Sequence, residues 1–378
     1  FSLPIQYTDF TIWQHSWLHG DPLQRQLSYW KSKLDSLPDS SNFPTDFPRP
    51  KTLSYKGERY RYALNKELSL KIKSLCLEEN ISIYMFLLTA FNVLLHKYSG
   101  DEDIIVGTPV ANRNHKDIEG LIGFFVNTLV FRSNISPHKI FYDLLLDLKE
   151  QSLTAYQYQD VPFEQLVDHL NIERALNKNP IFQIMFMMQN ANESSRFLEL
   201  GGTEISYMSH EENIAKFDLE IIAHEDPKSQ CIGLTIEYMT DLYKSETIEK
   251  FAGHYKSLLK EITLNLQAPV HTLNILLQKE QSLLLNTWND TNEEYGELPF
   301  AHKLFQQQAQ KNPDRIALVF DGKHVTYEQL NQQANRLAHY LKAEGVGPET
   351  FVAVLMDRSV DLIVSFLAIL KSGGAYIP

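Results

Sequence analysis

The sequence predicts an α+β domain built on a mixed sheet, followed by the beginning of a separate α/β unit. Three observations carry this. Helix and strand periodicities alternate irregularly from residue 1 to 275, an Asp226-Pro227-Lys228-Ser229 turn joins two apolar runs, and beyond residue 300 the order becomes strand, helix, strand. A chain of 378 residues is long enough for two or three hydrophobic cores.

Within the first region, Ser82 caps a helix that runs to Tyr98. Ile83, Phe86, Leu87, Ala90, Phe91, Leu94 and Leu95 form its apolar stripe, and Gly100 follows its end. A second helix is expected from Pro137 to about Tyr156, with Ser136 as cap and proline at the first helical position, and a third from Ser245 to Leu266. Strands are expected at Asp103–Val110, Phe124–Phe131 and Ile181–Met188. The Asp226 turn makes Phe217–His224 and Cys231–Tyr238 an antiparallel hairpin. Helices covering a mixed sheet complete the α+β reading.

From residue 276 to 299 the pattern weakens into a short apolar helix around Leu276–Leu285 and the polar run Asn289–Glu294, which reads as a linker. Ile316–Phe320 and His324–Thr326 then flank an Asp321-Gly322 hairpin turn. Thr326 with Gln329 forms a capping box for a helix to about Glu344, closed by Gly345. Phe351–Met356 reads as a buried strand, Ser359–Lys371 as a helix stopped by Gly373-Gly374, and Ala375–Pro378 as the start of the next strand. The opening Phe-Ser-Leu-Pro and the apolar close at Pro378 read as cuts through a longer polypeptide.

Composition narrows the function. With 47 acidic and 35 basic side chains the formal charge is -12, which disfavours a nucleic-acid backbone or an anionic membrane as partner. The two cysteines, Cys76 and Cys231, rule out a disulfide framework or a cysteine-rich metal site and fit a reducing cytoplasm. No uninterrupted apolar stretch reaches the ~20 residues that span a bilayer.

Taken one by one, the chemistry-bearing residues are sparse. His15 and His19 sit at helical spacing without the glutamate of a zinc-protease helix, so a solvated face is favoured over a metal site. His115 lies in a polar run that reads as a loop. There is no nucleophile elbow, no phosphate loop and no dinucleotide fingerprint. Two stretches stand out. In Ile122–Arg132, Asn127 and Thr128 interrupt an apolar strand, and a buried Asn127 amide must bond either backbone or a ligand. In Tyr158–Leu166, Pro162 opens a helix that Asp160 is expected to cap.

Those stretches resemble, in order, the signature segments of the condensation domain of nonribosomal peptide synthetases. Tyr7-Thr8-Asp9-Phe10-Thr11-Ile12-Trp13-Gln14 is similar to that family's Tyr-x-Asp-(Phe/Tyr)-x-x-Trp segment. Gly123 through Arg132, including Phe125, Asn127 and Thr128, resembles its Gly-x-Phe-Val-Asn-Thr segment. Gln159-Asp160-Val161-Pro162-Phe163-Glu164 resembles (His)-Gln-Asp-x-Pro-Phe-Glu, with Tyr158 where histidine is commoner. Arg174–Pro180, ending in Asn179-Pro180, resembles Arg-x-x-Ser-x-Asn-Pro with Asn177 in place of serine. Downstream, Val325–Leu330 and Leu370–Pro378 resemble the first core segments of an amino-acid adenylation domain.

The resemblance implies a chloramphenicol-acetyltransferase-like lobe at 1–275, of which 1–14 connects to an upstream lobe. A linker at 276–299 and a truncated adenylation domain at 300–378 follow, in the order of an elongation module. It also implies a tunnel between two lobes, where the amine on one carrier domain attacks the thioester on another. Gly123, Phe125, Asn127, Thr128, Arg132, Gln159, Asp160, Pro162, Phe163, Asn179 and Pro180 then belong to the tunnel side, and Tyr7, Asp9 and Trp13 to the lobe connection. The family's His-His-x-x-x-Asp-Gly segment lies upstream of these matches, and no adjacent histidine pair occurs in this sequence, so no catalytic residue is assigned here. On the same footing no cofactor is bound by these residues alone, whereas the full module uses ATP with Mg and phosphopantetheine on its carriers. The partners implied are the upstream lobe, donor and acceptor carrier domains and the rest of the adenylation domain. Two alternatives stand beside this reading: a non-catalytic carrier-binding module of the same fold, and a free-standing acyltransferase using coenzyme A thioesters. The appended adenylation start argues against the second.

Overall fold

The computed structural model describes residues 4–38, 43–189, 213–294, 296 and 300–378. The ends of the segments expected at 1–14 and 276–299, namely 1–3, 295 and 297–299, fall outside the described residues. The chain divides into two units, the first ending at Asn289 and the second beginning at Asp290.

In the first unit the elements follow in the order α1 (Tyr7–Trp17), α2 (Gly20–Lys33), β1 (Gly57–Ala63), α3 (Lys66–Glu78), α4 (Ile83–Ser99), β2 (Asp103–Val110), α5 (Lys116–Glu119), β3 (Asn127–Asn134), α6 (Phe141–Gln157), α7 (Phe163–His169), β4 (Ile184–Gln189), β5 (Leu219–Glu225), β6 (Ile232–Met239), α8 (Ser245–Leu264) and α9 (Gln278–Ser282). Six strands make one sheet in the order β1-β6-β5-β4-β2-β3. β4 pairs parallel with both β2 and β5 and the other contacts are antiparallel, so the sheet is mixed, as expected.

Helix α4 is the centre of the core. Every residue from Met85 to His96 is buried, because α4 lies between the sheet and helices α6 and α8 and has apolar side chains on all faces. Ser82 accepts the Met85 N–H at 3.1 Å to start it, and Gly100, with φ of +76°, turns the chain out of it in a left-handed conformation that disfavours a side chain. Phe91 of this helix packs against Phe186, Phe251 and Tyr255, and Phe86 against Phe141, each removing about 2–3 kcal/mol worth of apolar surface from water.

Several expectations are corrected by tertiary pairing. The second helix begins at Phe141 rather than Pro137: the amides of Phe141 and Tyr142 donate to the carbonyls of Ala268 and Leu266, so the returning chain after α8 replaces the Ser136 cap, and Pro137 belongs to a turn. The strand expected from Phe124 begins at Asn127, because Leu121 and Phe125 turn into a small cluster around Phe10 instead of pairing. β4 begins at Ile184, after a turn in which Ile181 takes a φ of +69°. His15 lies in the last turn of α1, which ends at Trp17, and His19 precedes α2, so the bend between the two helices removes the helical spacing between them. The hairpin is as read: Asp226 accepts the N–H of Lys228 and the hydroxyl of Ser229, fixing the turn between β5 and β6. β1, an alternation of Arg and Tyr that the sequence pattern does not mark, completes the sheet as an edge strand against β6.

Within the stretch expected as linker, Gln278–Thr287 is helical, and the first unit runs on to Asn289. His254 of α8 is held between Tyr98 and Glu280, with both contacts at 2.6 Å, and Glu280 also caps α9 by accepting the Leu277 N–H at 2.9 Å. Burial alone would raise the Glu280 carboxyl, but His254, the Leu277 amide and Lys250 hold it below the usual range.

The second unit comprises α10 (Ala301–Lys311), β7 (Ile316–Phe320), β8 (Lys323–Thr326), α11 (Tyr327–Ala343), β9 (Phe351–Ala353), α12 (Val360–Ser372) and β10 (Ala375–Ile377). The Thr326–Gln329 capping box is present, with reciprocal bonds of 3.3 and 3.0 Å. β9 and β10 run parallel, the handed unit expected of strand, helix, strand. β9 is three residues long and exposed rather than a buried strand to Met356, since β10 alone flanks it among the described residues. The Lys371 ammonium sits between the side-chain oxygens of Asn331 and Asn335 and over the Phe305 ring, and partial burial lowers it to about 8.

Candidate functional site

The Asn127 side chain organises the site. It opens β3 opposite Val110 at the end of β2, and the amide is buried. Its nitrogen donates to the carbonyls of Gln159 and Val161, both at 2.7 Å, while its oxygen accepts the N–H groups of Thr128 at 2.9 Å and Phe163 at 3.1 Å. Both donors and both acceptor positions are thus used by backbone. Of the two alternatives open in the sequence, backbone rather than ligand holds this amide.

The same contacts correct the expected role of Asp160. The Phe163 N–H at the start of α7 is capped by Asn127, and Asp160 instead accepts a 2.8 Å bond from Gln26 of α2. Pro162 does open α7, supplying φ of -56° just before its first residue. Gln159 points elsewhere, donating to the Tyr156 carbonyl at 2.8 Å and to Asn114 at 3.3 Å. The phenyl ring of Phe163 packs against Phe182.

A second set of motif residues joins this one from the amino-terminal side. Gly123 passes so close to Tyr7 that a Cβ at that position would lie 2.2 Å from the Tyr7 ring, and the Tyr7 hydroxyl donates to the Phe124 carbonyl at 3.0 Å. Phe125 is wedged between Tyr7, Phe10 and the guanidinium of Arg113, which lies 4.1 Å from its ring centre. Asp9 accepts the Gln6 N–H and closes the start of α1. Trp13 is half exposed, packed on Phe10 and stacked on Trp17 at 5.6 Å. On the outer side of the 122–126 turn, Ile122 is 96 % and Phe124 80 % exposed, which leaves an apolar edge facing solvent.

Beside these groups lies a cleft of about 400 Å³, lined by Ile83, Tyr84, Thr108, Val110, Tyr156 and Met188, with Ser82, Pro109 and Glu225 at its edges. The sequence offered no motif for these residues. Apolar periodicity assigns them to core, and only the pairing of β2 with β4 brings them together. Tyr84 donates to Thr108 at 2.9 Å, which donates in turn to the Phe186 carbonyl. Burial raises the Tyr84 and Tyr156 phenols, so both stay protonated and act as donors rather than bases. Glu225 is paired with Lys73 at 2.7 Å. The cleft is therefore a shaped wall that can orient a substrate, and its charged member is already neutralised.

The remaining motif residues lie apart. Arg132 grips Asp103 across the β2–β3 pair at 2.7 Å and donates to the carbonyls of Lys33, Asp35 and Ser36, anchoring the end of α2. Asn179 donates to the Lys216 carbonyl at 3.0 Å and exchanges bonds with Gln183, so Asn179-Pro180 shapes a separate cleft of about 560 Å³ beside Arg49 and Ile172. Arg49 there forms a double bond pair with the fully buried Asp218. His115 is exposed and contacts Asp117 at the start of α5.

A family model described as "Condensation domain" matches residues 2–285, three quarters of the chain, and one described as "AMP-binding enzyme" matches 305–378. The chain belongs to the condensation-domain family. Malpinin synthetase from Mortierella alpina is 40 % identical over 376 residues, and gramicidin S synthase 2 from Aneurinibacillus migulanus 39 % over 378. Both alignments cover 100 % of this chain but only 5 % and 8 % of those relatives, so the chain spans less than a tenth of their length. Among solved structures, a four-domain nonribosomal peptide synthetase with AMP and glycine bound superposes with a TM-score of 0.78 at 22 % identity, covering 95 % of this chain and 28 % of that one. The fold is that of a condensation-domain lobe followed by the start of an adenylation domain, as the sequence motifs implied. Within this condensation domain, Tyr7, Phe10, Gly123, Phe125, Asn127 and Gln159–Phe163 converge, whereas Arg132, Asn179 and Pro180 stand outside the cluster.

Proposed function

We propose that residues 1–289 form the carboxy-terminal wall of a condensation site in a nonribosomal peptide synthetase, and that 300–378 open the adenylation domain of the same module. The substrates are two acyl groups carried as phosphopantetheine thioesters on carrier domains. The amine of the acceptor attacks the thioester carbonyl of the donor; the C–N bond forms, the C–S bond breaks, and the amine proton ends on the released thiol. Holding both partners on tethers makes this aminolysis close to unimolecular, an advantage of up to ~7–11 kcal/mol.

The observation that carries this reading is the meeting of motif segments beside an open cleft: Asn127 holds the Gln159–Phe163 turn, the Tyr7 segment packs on Gly123–Phe125 just before Asn127, and the one carboxylate at the cleft edge, Glu225, is paired with Lys73. The residues here supply shape and donors, and the reacting imidazole comes from the upstream lobe. The exposed side chains of Ile122 and Phe124, and the exposed stacked pair Trp13 and Trp17, suit contact with that lobe. Asn127 with Gln159–Phe163, and Thr128 beside them, hold the tunnel side of the cleft in register, while Tyr7, Asp9 and Trp13 tie the connecting segment to it.

Residues 300–378 do not fit a nucleotide by themselves, since they contain no Gly-rich loop bearing Ser, Thr or Lys for phosphates. No step through ATP or Mg is therefore assigned to them. Among the described residues no single helix is long and apolar enough to cross a membrane, and both free cysteines suit a reducing cytoplasm.

The test uses the intact synthetase with donor and acceptor carriers loaded with aminoacyl thioesters. Amide-bond formation between the two carriers, followed by mass spectrometry in a single turnover, is expected. Fully loaded carriers that never exchange their acyl group would refute the proposal.

A further inference from the structure

Helix α2 faces the Tyr158–Val161 segment with residues spaced i, i+3 and i+4, which places them on one side of a helix. Gln26, on that face, is buried, although nothing in the sequence of this polar helix sets it apart from Gln24. Its side-chain oxygen accepts two backbone N–H groups, Asp160 at 3.1 Å and Val161 at 3.2 Å, and its nitrogen donates to the Asp160 carboxylate at 2.8 Å. One turn on, Trp30 donates from its indole nitrogen to the Tyr158 carbonyl at 2.8 Å, and Tyr29 stacks on the Tyr158 ring at 4.3 Å. Asn127 grips the other side of the same turn through Gln159, Val161 and Phe163. The turn is thus clamped between two side-chain amides, one from β3 and one from α2.

We propose that Gln26 is a positioning residue for amide-bond formation: it fixes the turn that joins α6, and with it Tyr156 in the cleft wall, to α7. The proposal rests on the condensation reading above. It makes Gln26 and Asp160 a functional pair in which polarity matters: an amide donor must face a carboxylate acceptor.

The test is a polarity exchange in the intact synthetase. Gln26→Glu keeps the acceptor for the two backbone amides but sets a carboxylate against Asp160, and like charges sharing one site repel. Amide-bond formation is expected to slow by at least about tenfold, since displacement of a site wall is costly to rate. Adding Asp160→Asn restores a donor–acceptor pair with reversed polarity, and the Q26E/D160N enzyme is expected to recover to within about threefold of the parent. Loading of the carriers serves as the control and is expected to be the same in all three enzymes.

A Q26E enzyme that condenses at the parental rate overturns the proposal, as does a double variant no faster than Q26E. Gln26→Met, similar in length and without the hydrogen bonds, is the second variant. Normal condensation in folded Q26M also overturns it. Amide hydrogen exchange of residues 158–163 gives a readout independent of activity: faster exchange in Q26E that reverts in the double variant is expected. If the parent enzyme loads its carriers but forms no amide, the condensation reading fails, and exchange still decides whether the clamp exists.

Discussion

The carbonyl oxygen of the Asn127 side chain caps helix α7 by accepting the N–H of Phe163 at 3.1 Å, across 36 residues of sequence. A strand residue thereby does the work that helix starts usually receive from the residue just before them. This arrangement makes the first strand residue of one motif the register pin of another.

Replacing Asn127 is accordingly expected to cost stability as well as condensation. Asn127→Ala removes both donors from the buried Gln159 and Val161 carbonyls and the cap from Phe163, and should destabilise the first unit by about 2–4 kcal/mol. Asn127→Asp should be worse, since a carboxylate would face two carbonyl oxygens. Urea denaturation of the intact protein checks this; an unchanged midpoint for N127A would contradict it.

Gly123→Ala is expected to lower stability by about 1–3 kcal/mol, because its Cβ would meet the Tyr7 ring and the cluster around Phe125 is packed. Truncating Tyr7 to Leu should relieve part of that cost, so the two substitutions are expected to be non-additive in a double-mutant cycle. Additive losses would show that the two residues do not meet.

Arg132→Lys should destabilise by about 1–2 kcal/mol despite keeping the charge. The fork that holds Asp103 and three carbonyls at the end of α2 cannot be reproduced by a single ammonium. Thermal unfolding of the variant reads this directly.

Glu220 carries a pH dependence of definite sign. Burial first, and then the Glu237 carboxylate directly opposite on β6, push it up to about 7, against the opposing pull of Lys216 and Arg59. The folded chain thus favours the protonated acid. Its penalty is absent below the ordinary value of 4.5, grows as pH rises from there, and is complete above about 7. Glu220→Gln should therefore stabilise by about 1–3 kcal/mol at alkaline pH and leave stability at strongly acid pH unchanged. Equal effects at both ends of the titration would rule this out.

Glu280 runs the other way. Its depressed carboxyl contributes stability above the ordinary 4.5 and loses it as pH falls through and below that value. Limited proteolysis of residues 278–287 is expected to increase in that acid range, and Glu280→Ala should show the increase already at neutral pH. Protection that is indifferent to both would mean that α9 is held by Leu277 against Gly253 alone.

Much of this protein was legible without coordinates. Strand β2 and strand β7 lie where alternation put them, α4 has its Ser82 and Gly100 caps, and the hairpin turn at Asp226 is made by the side chain expected of it. These features depend on residues within a few positions of one another, where periodicity and capping act. The order of the motif segments likewise pointed to the condensation family. What only the tertiary structure decided was which buried polar groups meet: Asn127 rather than Asp160 at the start of α7, the returning chain at Ala268 rather than Ser136 at the start of α6, and Gln26 on a turn 134 residues away. A buried amide or N–H takes whatever partner the packed elements bring to it, and that choice is made by long-range geometry that no local pattern encodes.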